Sequence, residues 1–439
     1  MLLRYEVGNY KSFKEKQTFE LFAGKQQKKN ERLLEANDAK IIPISVFYGA
    51  NAAGKSNFIE SIKVSKNIIS NGVKAILNDD YYFKNNSDFK DKPTHFEYEI
   101  FLNGVSYAYG FLINMGAKKI VGEWLYRIGK EEKMIYEIDH INKKINHNFK
   151  DFESIRRLEI LFEDILNMED SLFITELNRR KYTNDNEELL FLQKIFFWFE
   201  HKLEIIDPND EIPLSVSFNS NFKEDLILLL KNFDTGITNF KYKEIPRERL
   251  EGYIPGDLID EIIDSIDNNP VYLKSPSNLF KFALEDDNLV VHELLFSHGV
   301  NNIWYHLGDE SDGTKRLIQL IGLLNSDNSD KVFVVDEIDR SIHPKLTYKF
   351  IETFLKKQLN TQLIVSTHES SLLNQELLRR DEIWFIDRNS DMSSKIYCLE
   401  EFKERFDKDI HKGYLDGRYG AVPIFTDFKC MEDDLECLG

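Results

Sequence analysis

An eight-residue glycine motif constrains the fold of this chain more than any other feature. Residues 49–56 read GANAAGKS and match the pattern GxxxxGK[ST] at every fixed position. An apolar run at 45–48 precedes the motif, and apolar residues follow it at helical spacing, among them Phe58, Ile59 and Ile62. A strand, a glycine turn and a helix in this order direct backbone N–H groups and a helix N-terminus at phosphates. The motif therefore predicts an α/β nucleotide-binding fold.

The same motif identifies candidate nucleotide ligands. Lys55 is expected to reach the β- and γ-phosphates, and the Ser56 hydroxyl is expected to ligate Mg²⁺. The other expected nucleotide contacts are Gly49, Asn51, Gly54 and Asn57. No NKxD-like element follows the motif, so guanine selectivity has no visible source, and the expected cofactors are ATP and Mg²⁺. The alternative is a chance glycine loop, which leaves the flanking strand and helix unexplained.

Two later strands end on residues suited to phosphate chemistry. Residues 332–337 read VFVVDE, so a buried strand delivers Asp336 and Glu337 to its carboxyl end, where open α/β sheets bind ligands. Asp336 is expected to hold Mg²⁺, and Glu337 is expected to polarise the attacking water. A second apolar strand at 362–366 leads to His368, for which the order of the motifs favours γ-phosphate sensing. The alternative for the two acids is a strand end that caps the next helix.

Further short blocks accompany these motifs along nearly the whole chain. They are NYKSF at 9–13, ESDGTKR at 310–316, DEID at 336–339, SIHP at 341–344, STH at 366–368 and GRYG at 417–420. Their order resembles that of ABC-type ATPases. It is most similar to the group of AbiL- and RloA-type ATPases and the ATPase subunit of PARIS systems, relatives of OLD-family and SMC-type proteins. The resemblance implies an ABC-type P-loop fold with a mixed core sheet, an antiparallel side sheet and a mainly helical insertion.

The ESDGTKR block stands where the resemblance places a signature motif. It implies that Ser311 and Gly313, at a helix N-terminus, contact the γ-phosphate bound by a second copy of the chain. Unpaired N–H groups and the helix dipole favour an anion at such a position. The block departs from LSGGQ at Glu310, Asp312 and Thr314, and an aspartate beside a triphosphate is unfavourable unless it points away or caps the helix. The alternative interpretation is an ordinary helix N-cap.

Three smaller assignments remain open between a functional and a structural role. The resemblance implies that Lys11 approaches the nucleotide, and the alternative is a solvated lysine. His343 lies where a loop would pass between protomers, although His-Pro is also a common helix start. Three histidines near Glu293 are interpreted as structural, because no cysteine or second carboxylate joins them to form a metal site: His292, His298 and His306.

Sequence patterns divide the chain into four regions. Residues 1–130 are mostly strand and form an N-terminal ATPase lobe, with a hairpin turned at Asn103-Gly104. Residues 131–280 carry short amphipathic helices and are expected to form a mainly helical insertion. Residues 281–400 alternate strands with helices, as a parallel sheet with crossovers does, and residues 401–439 form a tail. No heptad pattern persists, which argues against a long coiled coil of the SMC kind.

Composition limits the partners. The 75 acidic and 57 basic residues give a net charge of −18, and a field of that sign repels nucleic acid and anionic membranes. Basic clusters at 179–181 and 241–249 are interpreted as solvated faces, so nucleic acid is a possible but disfavoured partner. The three cysteines form no CxxC pair, and no signal-peptide pattern or run of about 18 apolar residues occurs. We therefore expect a soluble, cytoplasmic protein, and the resemblance implies a homo-oligomer with at least two copies.

Two functions stay open at this stage. The resemblance implies an ATP-gated sensor or scaffold of bacterial anti-phage defence. The residues after His368 offer no DxD pair in a strand context, which favours a separate effector protein over a built-in nuclease. The alternative is an SMC- or RecF-like ATPase of DNA repair or chromosomes, which needs a basic DNA-facing surface. A transporter subunit is a third class, and the departure from LSGGQ and the NYKSF start argue against it.

Overall fold

The computed structural model describes residues 1–76, 81–149, 156–180, 187–207, 223–250, 252–254, 256, 259, 262, 271–274, 278–285, 288–299, 303–325, 329–402 and 409–422. The chain forms two compact units. The first, here the P-loop unit, comprises Leu2–Glu200 and Leu373–Gly439, and the second, here the Walker B unit, comprises Met1 and His201–Leu372. Among the described residues, no helix combines the length and apolar character that crossing a membrane requires.

A seven-stranded antiparallel sheet forms one layer of the P-loop unit. Numbered along the chain, its strands are β1 (Leu2–Gly8), β2 (Gln17–Glu20), β6 (Thr94–Leu102), β7 (Val105–Asn114), β8 (Lys119–Ile128), β9 (Lys133–Asp139) and β10 (Lys144–His147). They lie in the order β10-β9-β8-β7-β6-β1-β2. The predicted hairpin is confirmed, because β6 and β7 join at Asn103 and Gly104, whose φ angles of 51° and 81° suit a two-residue turn.

The P-loop unit also contains a small mixed sheet. Strand β5 (Ile44–Tyr48) runs parallel to β18 (Ile383–Arg388), which pairs antiparallel with β19 (Ser394–Cys398). A short hairpin, β3 (Leu34–Ala36) and β4 (Ala39–Ile41), precedes β5. Strand β4 thus ends at Ile41 and β5 begins at Ile44, with a break between them. Pro43 lies at the break, where its missing N–H cannot join a ladder.

Helices complete the P-loop unit. They are α1 (Lys55–Asn71), α2 (Arg156–Ile165), α3 (Phe173–Arg179), α4 (Glu187–Phe197) and α9 (Ile410–Leu415). A π-helix (Trp198–Lys202) follows α4, and its first three residues belong to this unit. Phe58 anchors α1, because its ring lies 4.8 Å from that of Phe47 on β5 and 5.6 Å from that of Phe19 on β2. Tyr5 of β1 contacts the same ring at 5.7 Å. These contacts fix the helix that carries the glycine motif at its start.

The Walker B unit contains a parallel sheet and an antiparallel one. The parallel strands are β11 (Leu203–Ile206), β16 (Val332–Val335) and β17 (Gln362–Ser366), in the order β11-β16-β17. The antiparallel sheet has the order β12-β15-β14-β13, formed by β12 (Asn239–Glu244), β13 (Val271–Lys274), β14 (Leu279–Glu285) and β15 (Asn288–Ser297). The helices are α5 (Lys223–Asn232), α6 (Arg247–Leu250), α7 (Asp312–Gly322) and α8 (Pro344–Lys357).

The α/β fold with a mixed sheet and separate antiparallel sheets confirms the class predicted from the sequence. The strands predicted at 332–335 and 362–366 are present as β16 and β17, and helices begin near 311 and 344 as expected. Between 131 and 280 the described residues form both helices and strands. Cys430, Cys437 and most of the predicted tail lie outside the described residues.

Candidate functional site

The glycine motif forms a tight turn between β5 and α1 in the P-loop unit. All five residues of β5 are buried, and α1 begins at Lys55 directly after Gly54. Gly54 has a φ of 116°, and a Cβ there would lie 2.4 Å from the Ser394 hydroxyl. A Cβ at Gly49 would lie 2.5 Å from the Ile386 carbonyl. Both glycines are therefore required by this geometry, and the strand, turn and helix predicted for a phosphate site are present.

The motif's lysine is turned onto its own loop. Lys55 is buried, and its ammonium donates to the carbonyls of Gly49 at 2.7 Å and Ala50 at 3.3 Å. A phosphate offers this cation a full opposite charge in place of two carbonyl dipoles, which is the stronger kind of hydrogen bond. The Asn51 and Ser56 side chains are exposed at the same turn. The structure thus places the predicted phosphate ligands together in one unit.

A cavity of about 350 Å³ opens beside the glycine turn. A cavity of this size falls in the range of small-molecule sites. Its wall combines three cationic side chains with aromatic and amide groups. The lining residues are Lys11, Ser12, Ala52, Asn57, Tyr82, Phe83, Lys84, Asn85, Arg388 and Met392. Polar, cationic and aromatic side chains therefore line this cavity.

Lys11 lies on the wall of this cavity and is paired within the protein. Its backbone has a φ of 45°, and its N–H donates to the Tyr81 carbonyl at 2.7 Å. Its ammonium pairs with Glu60 of α1 and lies 5.2 Å from the centre of the Tyr81 ring. Asn57, the other predicted contact here, donates to the Ser12 hydroxyl at 2.8 Å. The NYKSF block and the start of α1 therefore form one connected wall.

Two residues of this site were missed by sequence reasoning, because they come from the β18–β19 hairpin. The Arg388 guanidinium donates to the Ala52 carbonyl of the glycine turn. The Ser394 hydroxyl donates to the Ala53 carbonyl at 2.5 Å, and its N–H donates to the Ser12 carbonyl at 2.7 Å. A cation at the end of an apolar strand is the signal that points to Arg388. No local pattern marks Ser394.

In the Walker B unit, β16 is followed by a turn that carries Asp336 and Glu337 and is here called the acidic turn. Asp336 is buried, and its Oδ1 accepts a hydrogen bond from the Ser366 hydroxyl. The same hydroxyl accepts the Glu337 N–H at 2.8 Å. Glu337 has a φ of 46°, and the residue is only partly buried. A non-glycine residue in the left-handed region is uncommon and worth explaining at a functional site.

The predicted histidine lies at the same edge of this parallel sheet. Strands β16 and β17 run side by side, so their carboxyl ends place Asp336, Glu337 and His368 at one edge. The His368 N–H donates to Asp339 at 3.2 Å, and the residue is exposed. The acids and the histidine expected from separate motifs therefore lie at the same sheet edge within the Walker B unit.

The signature-like block begins α7 as its N-cap. The Ser311 hydroxyl accepts the Thr314 N–H at 3.1 Å, while the Asp312 side chain is exposed and lies 3.6 Å from Lys315. Gly313 fits closely, since a Cβ there would lie 2.7 Å from the Ser341 carbonyl. Ser311 is thus the N-cap residue of α7, and Asp312 lies in the first turn, where a negative charge interacts favourably with the helix dipole.

His343 is also a cap. Its Nδ1 accepts the Lys345 N–H at 3.2 Å, with Pro344 as the first residue of α8. Two of the histidines interpreted as structural pair with buried carboxylates: His298 contacts Glu310 at 2.7 Å, and His306 contacts Glu293 at 2.5 Å. In each pair, one ring nitrogen contacts a carboxylate oxygen.

One group of potential metal ligands occurs among the described residues, outside the sites above. Glu6, His95 and Glu97 offer ligand atoms within 4.8 Å of one another. Lys16 already contacts Glu6 at 2.7 Å, and Arg4 contacts Glu97 at 3.6 Å. Burial raises the pKa of Glu6, but the neighbouring His95, Lys16 and Arg4 together lower it to about 2. The carboxylates of this cluster therefore already have ion-pair partners within the sheet.

Two solved structures are similar to this chain at low identity. One is the "SmcHead bound to the C-winged helix domain of ScpA", with a TM-score of 0.43 and 12% identity over 90% of this chain and 97% of that one. The other is the "SMC head domain from Thermotoga maritima", with a TM-score of 0.39 and 13% identity over 90% of this chain and 98% of that one. Scores this low say nothing about what this chain binds.

Comparison with protein families gives a direct result. No curated protein matches the chain. The family model described as "AAA domain, putative AbiEii toxin, Type IV TA system" matches residues 44–374, about three quarters of the sequence. The matched span begins at β5 and includes the glycine turn, the signature-like block, the acidic turn after β16 and His368. On this evidence the chain belongs to that family of AAA-domain proteins.

Proposed function

We propose that this chain binds ATP with Mg²⁺ and hydrolyses it. The observation that carries the proposal is the glycine turn between β5 and α1, with Lys55 buried against the turn's carbonyls. The first N–H groups of a helix lack partners within the helix, so the start of α1 is suited to an anion. Membership of an AAA-domain family supports the same activity.

In this proposal the P-loop unit holds the nucleotide. The triphosphate lies along the turn 49–56, where Lys55 exchanges its carbonyl partners for phosphate oxygens. The cavity beside the turn accepts the nucleoside, with Lys11 and Asn57 on its wall. Adenine is the proposed base, because the sequence lacks an NKxD-like element for guanine.

The acids of the Walker B unit supply the rest of the chemistry. Asp336 and Ser56 offer carboxylate and hydroxyl oxygens, the hard donors that fit Mg²⁺, which neutralises charge on the phosphates when bound. Glu337 orients the attacking water through its partly exposed carboxylate. His368, at the same sheet edge, senses the γ-phosphate. The protein's contribution is positioning and charge stabilisation rather than covalent chemistry.

We further propose that a second copy of the chain completes the site. The exposed N-terminus of α7, with Ser311 and Gly313, covers the γ-phosphate held by the partner's glycine turn. Loss of that phosphate removes the anion that holds the copies together, so hydrolysis reopens the pair. The helix dipole and the backbone N–H groups of α7 supply this contact, and Asp312 turns toward Lys315 instead.

The biological role proposed for this cycle is a switch in bacterial anti-phage defence. ATP-driven closure holds a separate effector protein, and hydrolysis releases it. The toxin and toxin–antitoxin terms in the family description support this role. The SMC- or RecF-like alternative becomes an outcome of the test.

The test is a purification from the native host. Tagged Glu337→Gln, prepared with ATP and Mg²⁺, stays closed because binding is kept and water activation is lost. A stoichiometric second protein that is absent from the matched Lys55→Ala preparation supports the switch. Nuclease-sensitive DNA without a protein partner would instead favour the repair alternative and contradict the proposed role.

A further inference from the structure

The acidic turn of the Walker B unit is held from two sides. On one side, the Ser366 hydroxyl accepts the Glu337 N–H at 2.8 Å. On the other, the Arg316 guanidinium donates through Nη2 to the Asp336 carbonyl at 3.1 Å and the Glu337 carbonyl at 3.3 Å. A left-handed φ in a non-glycine residue costs about 1 kcal/mol or more and persists only where its surroundings enforce it. These donors and acceptors are what enforce it at Glu337.

Arg316 is unusual because it is a buried cation. The residue is 7% exposed, and its Nη1 donates to the Gln319 amide oxygen at 2.6 Å. Burial lowers the pKa of Arg316 to about 10, with the charge of Arg340 adding to that effect and Asp336 opposing it. The guanidinium is therefore still charged near neutral pH. A buried charge lowers stability unless hydrogen bonds offset that cost. Here Gln319 and the two carbonyls of the acidic turn supply the hydrogen bonds.

Arg316 also belongs to the helix that carries the signature-like block. It lies on α7, one turn after Ser311 and Gly313. That first turn touches the chain just beyond the acids, because a Cβ at Gly313 would lie 2.7 Å from the Ser341 carbonyl. The helix therefore meets the segment 336–341 at two points, one through a glycine and one through a guanidinium.

We propose that Arg316 is a positioning residue for Glu337. It fixes the two peptide carbonyls of the acidic turn, and thereby aims the Glu337 carboxylate at the attacking water. It also ties that carboxylate to α7, so contact between α7 and a partner's nucleotide sets the position of the acid. The inference rests on the proposed ATPase function and adds a residue that acts on catalysis without touching the nucleotide.

The test compares Arg316→Met with Arg316→Lys in the full-length chain. We expect Arg316→Met to lower kcat at least about 30-fold while the Kd for a fluorescent ATP analogue stays within about threefold, since misplacing a catalytic group by about 1 Å costs up to about 100-fold. Arg316→Lys should recover part of kcat, because an ammonium still donates to one carbonyl. An unchanged kcat in folded Arg316→Met, or equal losses in kcat and binding, would overturn the inference.

A double-mutant cycle separates positioning from general damage. In a Glu337→Gln background, Arg316→Lys should cause no further fall in kcat, because the group it positions is already absent. A further loss of the same size as in the wild-type background would mean that Arg316 acts by another route. If the wild-type chain fails to hydrolyse ATP, the proposed function is wrong, and the role of Arg316 that rests on it is wrong as well.

Lys357→Met is the matched control. The Lys357 ammonium donates to the Leu324 carbonyl at 3.2 Å, just past the other end of α7. Its removal also deletes a cation-to-carbonyl bond of the same helix region, but at a distance from the acidic turn. We expect a small fall in melting temperature with kcat within about twofold of wild type. A large loss of kcat in Lys357→Met would show that any loosening of α7 lowers turnover, and it would overturn the specific role of Arg316.

Discussion

In the P-loop unit, the cations beside the glycine turn each contact an oxygen atom of the protein. Lys55 contacts loop carbonyls, Lys11 contacts Glu60, and Arg388 contacts the Ala52 carbonyl. In the Walker B unit the acids are held differently. The Asp336 carboxylate and the backbone of Glu337 share the Ser366 hydroxyl, and Arg316 bonds both carbonyls.

Under the proposed function, phosphate oxygens replace the carbonyl partners of Lys55, so this side chain must rearrange when the nucleotide binds. The backbone around Glu337 is already held by hydrogen bonds, and small displacements of a catalytic group are costly. Substitutions in the P-loop unit should therefore act mainly on affinity, and substitutions around the acidic turn should act mainly on turnover.

The largest expected effect is on affinity in the P-loop unit. Lys55→Ala should weaken ATP binding by on the order of 100-fold or more, because a buried charge-assisted contact to phosphate is lost. Isothermal titration with ATP and Mg²⁺ measures it, and a melting curve checks that the variant is folded. If Lys55→Ala kept its affinity for ATP and lost turnover, Lys55 would act in catalysis, which would contradict the expectation that substitutions in the P-loop unit act mainly on affinity.

The next effect is on turnover in the Walker B unit. Glu337→Gln should lower kcat by about 100-fold or more, the usual contribution of a positioned general base, while ATP affinity is kept. Steady-state phosphate release together with the titration separates the two quantities. Hydrolysis at the wild-type rate would show that Glu337 is not the residue that activates water.

Much of this site could be predicted from the sequence, since its motifs are local. The strands before Gly49 and Asp336 consist mostly of apolar residues, and the start of α7 is marked by a serine cap. The contacts of Arg388 with Ala52 could not be predicted, because more than three hundred residues separate them and tertiary packing alone brings them together. Arg316 is only 20 and 21 residues from the carbonyls that it bonds, but tertiary packing forms these contacts as well.

A smaller effect should follow from loosening the acidic turn. Ser366→Ala removes the hydroxyl shared by Asp336 and Glu337 and leaves the partly buried Glu337 N–H unpaired, at a cost of about 1–3 kcal/mol in unfolding free energy. We expect kcat to fall about tenfold with little change in the Kd for ATP. Urea denaturation measures the unfolding free energy, and steady-state kinetics with a binding titration measures kcat and Kd. A Kd that rises as much as kcat falls would contradict the expectation that substitutions around the acidic turn act mainly on turnover.

The smallest effect concerns the edge of the cavity. Arg388→Gln should raise the Kd for ATP about threefold to tenfold and leave kcat unchanged, since an exposed charge contributes little. Lys395→Gln is the matched control, because Lys395 is an exposed cation of the same hairpin and lines a different cavity. Equal effects of the two variants would mean that only the overall charge of the hairpin matters.

We propose that ATP is held between two copies of the chain. Light scattering on the Glu337→Gln variant tests this proposal most directly. With ATP and Mg²⁺ the account predicts at least twice the mass measured without nucleotide, and the increase should be absent in Lys55→Ala. If Glu337→Gln binds ATP by titration and its mass does not change, the nucleotide is held by one copy alone and the account is contradicted.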